Sequence, residues 1–537
     1  MARRLLLGNE AVAQGALDAG LGHAYAYPGT PSTEVTEYIL GSDSVQQGRV
    51  GCRWTANEKT ALETAYGASY AGFRAMATMK HVGLNVAADA FLNASIAGTN
   101  GGLLLLVADD PSMHSSQNEQ DSRVYADLAQ VPCIEPSTQQ EAYEAPRAAF
   151  ELSEKHRVPV LVRLTTRLAH SRSDVLLGEA LPVSTRPPAT DRRQYILLPV
   201  NARRNHRRLV QLQGAFVQAS EESPRNRLDE SRSDALGIIA CGIAHNYVLE
   251  VFGGECPHPL LKLSQYPLPE GLLARLFARC RRILVVEDGY PYVESMLRGT
   301  PPRDDVTILG RLSGDLPRTG EITPRDVRRA IGLPLRPSRD ASELPIPRPP
   351  SLCAGCPHAD SFRALNEAMA TRQSGRVFAD IGCYTLGALP PYEAIDTCID
   401  MGASITMAKG ASDAGIRPSV AVIGDSTFTH SGMTGLLDCV ASASPVTVLL
   451  LDNATVAMTG GQSSLAKDRL EPICLGLGIE QEHLKVIDPR PAHHEANARI
   501  LATELDYDGP SVVIARRECI HTARRRSAAA KGAPATP

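Results

Sequence analysis

Two short apolar runs in the last third of the chain, SVAVIG at 419–424 and VTVLLL at 446–451, are separated by SGMTGLLDCVASA, whose apolar residues recur at helical spacing. Strand, helix, strand in that order restricts the fold sharply. A right-handed crossover makes the two strands parallel and brings their C-terminal ends to one edge of the sheet, where ligands bind. The first run ends in Asp425 and the second in Asn453, so the two side chains can converge. A carboxylate and an amide oxygen are hard ligands of the kind Mg²⁺ prefers, and phosphate oxygens, water and backbone carbonyls complete its octahedron. Gly424 permits close backbone approach, and the start of the following helix offers unpaired N–H groups to phosphates. The pattern predicts a Mg²⁺-diphosphate clamp; the plainer alternative is that Asp425 caps the helix and Asn453 makes a turn.

The same alternation runs through the chain, which at 537 residues is too long for one core. We expect an α/β protein of three doubly wound parallel-sheet domains. The first covers 1–175, with GHAYAY, RAMATMK and GGLLLLVAD as strand-like runs; the second covers 234–335, and the third 352–522. Residues 176–233 are Arg-, Pro- and Ser-rich and read as a linker or insertion, 336–351 as a Pro-rich connector, and 523–537 as a disordered tail. A formal charge of −4 leaves no chain-wide basic field, so nucleic acid is not expected as a partner. The first residues, MARRLLLGNEAV, are cut by Asn9 and Glu10 far short of a signal-peptide core, and no run approaches the roughly 20 apolar residues that cross a bilayer. No membrane is expected, and the cytoplasm is the expected location.

GDS at 424–426, followed by DN at 452–453, resembles the thiamine diphosphate motif, and Ser426 with the continuation AMTGGQ is similar to the 2-oxoacid:ferredoxin oxidoreductases. That resemblance implies Asp425, Asn453 and the backbone carbonyl of Thr455 as metal ligands, and Gly424, Ser426, Gly382, Cys383 and Tyr384 as cofactor-binding residues. It also implies a Glu from another domain to hydrogen-bond the aminopyrimidine ring. Glu58 opens the helical pattern NEKTALETAYGASYAG, and its spacing to Gly67 fits the family where that of Glu63 does not. A first-turn Glu favoured by the helix dipole is the alternative reading of Glu58. YPGTPSTE at 27–34 resembles the family's opening signature, which carries Thr30 over as a substrate contact, and KHVGLN at 80–85 is similar to the indolepyruvate branch, placing His81 near the reacting centre.

Twelve Cys without a secretion signal argue for thiols or metal ligands. CAGCPH contributes Cys353, Cys356 and His358, and a single C-x-x-C is equally open to zinc, iron–sulfur or coincidence. The resemblance implies a [4Fe–4S] cluster on Cys353, Cys356, Cys383 and Cys519, with Cys398 as the alternative fourth ligand. Across residues 5–520 the chain resembles the α subunits of the indolepyruvate branch. Those subunits normally continue into a ferredoxin-like domain, whereas this sequence runs to TARRRSAAAKGAPATP, so two relay clusters are expected to be missing.

The implied activity is oxidative decarboxylation of an aryl 2-oxoacid, with CoA taking the acyl group and electrons leaving through the cluster. A smaller subunit, a ferredoxin or other acceptor, and a dimer of this chain are the implied partners. The rivals are a non-oxidative thiamine-dependent decarboxylase or carboligase and a non-catalytic assembly subunit. A nicotinamide dehydrogenase is disfavoured, since no G-x-G-x-x-G follows a strand.

Overall fold

The computed structural model describes residues 2–230, 233–299, 305–337, 342, 344, 346 and 349–530. The chain falls into two compact units, residues 1–340 and 341–537. Three largely parallel sheets carry the fold, two in the first unit and one in the second.

The first sheet has seven strands in the spatial order Gln265–Tyr266, Cys133–Ile134, Val160–Thr165, Leu103–Asp109, Ala75–Lys80, His23–Ala26 and Gly51–Trp54. All neighbours are parallel except the Gln265–Tyr266 edge, which a later segment of the chain adds antiparallel. Strand Leu103–Asp109 shows why the run GGLLLLVAD reads as continuously apolar. Leu104, Leu106 and Ala108 enter one core while Leu103, Leu105 and Val107 enter another, so both faces are covered. The chain leaves His23–Ala26 for the edge strand Gly51–Trp54 and returns to Ala75–Lys80 on the other side. This is a topological switch, and the crevice it opens lies beyond Ala26 and Lys80.

The second sheet orders Thr307–Leu309, Arg282–Val286, Gly237–Cys241, Leu260–Leu263 and an antiparallel Arg227–Asp229. It is fused to the first through a buried ionic cluster. Arg163 reaches Asp109 at 2.6 Å and also pairs with Glu135, and its Nη2 donates to the Asp288 carbonyl at 3.1 Å. Arg123 pairs with Asp121 at 2.5 Å and with Glu287 at 3.0 Å. Both guanidiniums are fully buried, so their charges depend on these partners. The expected boundaries at 175 and 234 therefore separate two sheets of one compact unit.

The stretch 176–233, read as a linker or insertion, contains the 23-residue helix Pro199–Glu221. Its Arg-rich face is exposed while Asn205, Leu209, Phe216 and Ser220 are buried, an amphipathic spacing that the basic composition obscured. Part of the expected tail is likewise helical, in Ile520–Ala530, and 531–537 lie outside the described residues. The connector 336–351 spans the division between the units, and much of it also lies outside the described residues.

The third sheet is wholly parallel, in the order Thr397–Cys398, Arg376–Ala379, Ser419–Gly424, Val446–Asp452, Ser511–Arg516 and Leu484–Ile487. Val420 and Val422 enter one core and Ala421 and Ile423 the other, so both faces are again covered. The chain moves from Arg376–Ala379 to the edge strand Thr397–Cys398, then back to Ser419–Gly424 on the opposite side. The switch crevice thus lies between the ends of Arg376–Ala379 and Ser419–Gly424, at Asp380 and Asp425. Among the described residues, no helix is long and apolar enough to cross a membrane.

Candidate active site

In the second unit, strand Ser419–Gly424 delivers Asp425 to the crevice. Its Oδ1 accepts the Ser426 N–H at 2.8 Å, while Oδ2 is buried without a hydrogen-bond partner, as is the Ser426 hydroxyl. Burial, and then the charge of Asp452, push this carboxyl up to about 7, with the Ser464 hydroxyl and the N–H groups of Ser426 and Ala454 pulling the other way. An orphaned, buried carboxylate oxygen beside a second acid is a seat for a cation.

Asn453 follows the neighbouring strand. Its Oδ1 accepts the Thr455 N–H at 3.0 Å across a turn in which Ala454 takes φ +61°, a left-handed conformation rare for alanine. Asn453 Nδ2 meets His358 Nε2 at 3.2 Å. The residues present fit Mg²⁺: one hard anionic oxygen without a partner, one amide oxygen and the adjoining backbone at Thr455.

Across the crevice, Asp380 receives the Tyr384 hydroxyl, the Ser404 hydroxyl at 2.6 Å and the Gly402 N–H at 3.2 Å. Burial lifts it to about 7. The Tyr384 ring occupies the space that a side chain at Gly382 or Gly424 would need, since a Cβ at those positions would lie 2.3 and 2.7 Å from its Cε1. Tyr384 therefore gives a physical reason for both glycines.

Cys353, Cys356, Cys383 and Cys519 gather beside this crevice as free thiols, Cys353 exposed and Cys356 and Cys519 buried. Burial pushes the Cys383 thiol up to about 12, and Cys356, Cys519 and Cys353 add to the rise, in that order. Cys353 Sγ also lies 3.3 Å from His521 Nε2. Among the described residues, no three His, Cys, Asp or Glu side chains stand close enough to hold a single metal ion. A four-iron cluster spreads its four thiolates more widely than one zinc, with its short Zn–S bonds, can. As thiolates, the four side chains would suit a four-iron cluster, whose positive core offsets their charge. Cys398 is turned instead to the Asp380 carbonyl at 3.5 Å and the Thr385 hydroxyl at 3.7 Å.

In the first unit the switch crevice gathers Thr30, Lys80, His81 and Glu58. Asn9 donates to the Pro31 carbonyl at 2.7 Å, and Ser32 to the Gly29 carbonyl at 2.7 Å, which fixes the loop carrying Thr30. The aliphatic stem of Lys80 lies against Gly29, and its ammonium donates to the Ser115 carbonyl at 2.9 Å. Burial brings Lys80 down to about 8, with Asp110 and Glu58 opposing. His81 Nε2 meets the Asn118 carbonyl at 3.0 Å and its Nδ1 is buried without a hydrogen-bond partner; burial depresses its pKa, so the ring is neutral and Nε2 carries the proton. Glu58 is 4% exposed at the first turn of helix Glu58–Tyr70, capped by Asn57, and its carboxylate rests against Gly83. Glu63 sits on the outer face of the same helix, ion-paired with Lys59.

Sequence reasoning gave no role to Asp380, Ser404 or His358, or to Lys80. Asp380 carries the same signal as Asp425, an acid closing a strand-like run. His358 was visible in CAGCPH without anything to say what it meets.

Residues 14–206 match the family model described as pyruvate flavodoxin/ferredoxin oxidoreductase, thiamine diP-bdg, and residues 380–514 match thiamine pyrophosphate enzyme, C-terminal TPP binding domain. The chain is 38% identical to the indolepyruvate oxidoreductase subunit IorA of Archaeoglobus fulgidus over 97% of its own length and 88% of that protein. To the IorA of Methanothermobacter marburgensis it is 40% identical, over 96% and 87%. A solved structure of 2-oxoglutarate:ferredoxin oxidoreductase from Magnetococcus marinus, with 2-oxoglutarate, coenzyme A and succinyl-CoA bound, shares the fold at TM-score 0.50 and 16% identity, covering 62% of this chain and 65% of that one.

Proposed function

The chain belongs to the IorA family of thiamine diphosphate-dependent 2-oxoacid:ferredoxin oxidoreductases, and from that premise we propose that it oxidatively decarboxylates an aryl 2-oxoacid such as indolepyruvate, yielding acyl-CoA, CO₂ and reduced ferredoxin. The observation that carries the reading is the buried, unpartnered Oδ2 of Asp425 at the switch crevice, with Asn453 and Thr455 at the end of the adjacent strand. Asp425, Asn453 and the Thr455 carbonyl would hold Mg²⁺ on the diphosphate. Thiamine diphosphate, when bound, supplies the nucleophilic carbon and the electron sink that a 2-oxoacid decarboxylation needs.

The chain's own residues have the remaining tasks. Glu58 holds a proton at an aminopyrimidine nitrogen, and its burial keeps that exchange away from water. Thr30 contacts the substrate from a loop anchored by Asn9, and neutral His81 offers its Nδ1 lone pair near the reacting centre. Cys353, Cys356, Cys383 and Cys519 would hold a [4Fe–4S] cluster. A smaller subunit completes the enzyme, ferredoxin accepts the electrons, this chain forms a dimer, and the assembly works in the cytoplasm.

The test is anaerobic purification with iron and acid-labile sulfide assays, followed by turnover of indolepyruvate with CoA and a ferredoxin. About four iron and four sulfide per chain, with CoA-dependent acceptor reduction, are expected. Aldehyde or ketol release without an acceptor would replace this reading with the non-oxidative one, and no turnover under either condition would leave an assembly subunit.

A further inference from the structure

The side chain of Asn453 is held from two sides. The Thr455 N–H can only donate, so the atom 3.0 Å from it is the amide oxygen. Nδ2 then faces His358 Nε2 at 3.2 Å and must donate to it, which leaves the imidazole proton on Nδ1. The ring is buried, and the amide donor opposite Nε2 makes that nitrogen the acceptor. His358 lies in the first turn of helix Pro357–Met369, with its ring edge-on to Tyr384 at 6.2 Å. The backbone adds a second tie, because the Cys519 N–H donates to the Asn453 carbonyl at 3.2 Å.

We propose that His358 is a positioning residue for the cofactor's metal: its Nε2 anchors the Asn453 amide so that Oδ1, not Nδ2, is presented to Mg²⁺. The CAGCPH segment then serves the diphosphate site as well as the thiol set. The inference rests on the thiamine diphosphate reading above.

The physical argument concerns a torsion. The terminal torsion of an asparagine is broad and nearly two-fold, so little in the side chain itself decides which end of the amide faces the cation. An NH₂ group turned toward Mg²⁺ repels it. An acceptor behind Nδ2 removes that alternative before the metal arrives. Outer partners of metal ligands, when removed, typically cost 10–100-fold in metal affinity. A histidine that merely filled space beside Tyr384 would affect melting and leave the metal requirement alone.

The experiment uses the whole enzyme with its partner subunit, stripped of metal, and measures thiamine diphosphate binding by calorimetry at stepped Mg²⁺ concentrations. H358F keeps an aromatic ring and removes the acceptor; H358Q restores an acceptor through its side-chain carbonyl. For H358F the half-saturating Mg²⁺ is expected to rise about 10–100-fold, and for H358Q to return to within a few-fold of wild type, with metal-free melting and iron content alike in the two variants. An unmoved midpoint in H358F, or an H358Q as impaired as H358F, overturns the inference. Should H358F fail to fold, H358L is the acceptor-free comparison and is judged by the same midpoints. A wild-type enzyme that takes up no thiamine diphosphate at any Mg²⁺ overturns the cofactor reading and this inference with it, whereas wild-type binding beside an unmoved variant overturns this inference alone.

Discussion

Gly67 and Gly83 both lie inside helices of the first unit, and replacing each by alanine should have opposite consequences. A Cβ at Gly67 meets nothing within 4 Å. G67A should therefore gain only the helix preference of alanine over glycine, about 0.5–1 kcal/mol, with turnover unchanged. A Cβ at Gly83 would fall 2.5 Å from Glu58 Oε1 and 2.6 Å from its Cγ. Ordinary contact begins near 3.4 Å, so Glu58 must retreat by 3.4 less 2.5, about 0.9 Å. Overpacking of this kind costs about 1–3 kcal/mol, and the helix preference offsets part of it, so G83A should still fold. A catalytic group misplaced by about 1 Å can lose on the order of 10²-fold in rate. The assays are chemical denaturation and steady-state kinetics on the two variants side by side. G83A is expected to lose about 10²-fold in kcat/KM at a stability within about 2 kcal/mol of wild type. Full activity in G83A, or equal losses in both variants, would refute the claim that Gly83 is small in order to seat Glu58.

Further outcomes follow from the same geometry. Glu58→Gln should cut turnover by about 10²-fold or more, while Glu63→Gln, altering an exposed ion pair, should leave it alone; kinetics that rank them the other way would exchange their roles. Iron per chain should fall in Cys383→Ala and Cys519→Ala and hold in Cys398→Ala, as read by anaerobic iron analysis. Asp425→Asn removes the anionic oxygen of the proposed Mg²⁺ clamp and should raise the Mg²⁺ needed for thiamine diphosphate binding by more than the about 10–100-fold that loss of an outer partner costs, whereas a wild-type requirement would dismiss the clamp. Asp380 is lifted by burial from an ordinary 3.8 to about 7. The folded state therefore favours its proton, and stability is lost as pH rises between those values. At 1.36 kcal/mol per pH unit the span sums to about 4 kcal/mol. About two of those pH units, roughly 3 kcal/mol, fall between pH 5 and pH 8; Asp380→Asn mimics the neutral acid and should remove that part in denaturation at the two pH values, and an unchanged slope would show that Asp380 is not the titrating group.

The architecture was legible because parallel strands buried on both faces leave a strong mark. GGLLLLVAD and VTVLLL are continuous apolar runs, and the helical spacing between runs dictates crossover and direction. What composition hid was the helix Pro199–Glu221, where many arginines on the outer face diluted the spacing of Leu209 and Phe216. Strand ends were legible too, and with them Asp425, Asn453 and the loop after Lys80, since the end of an apolar run is a local property of the sequence.

The partners of those residues were not legible, because each partnership is closed by the sheet order. Gly424 read as room for a phosphate, yet the atom nearest to its missing side chain belongs to the Tyr384 ring, which arrives from the strand on the far side of the switch. Asp380 meets Ser404 only because the chain visits the edge strand Thr397–Cys398 between them. His358 meets Asn453 from 95 residues away, through a helix that no local pattern orients. The residues proposed to touch a ligand sit where one strand stops and can be read from one run at a time. The residues that aim them come from whichever neighbours the crossover brings alongside, so the aiming becomes visible only once the strand order is known.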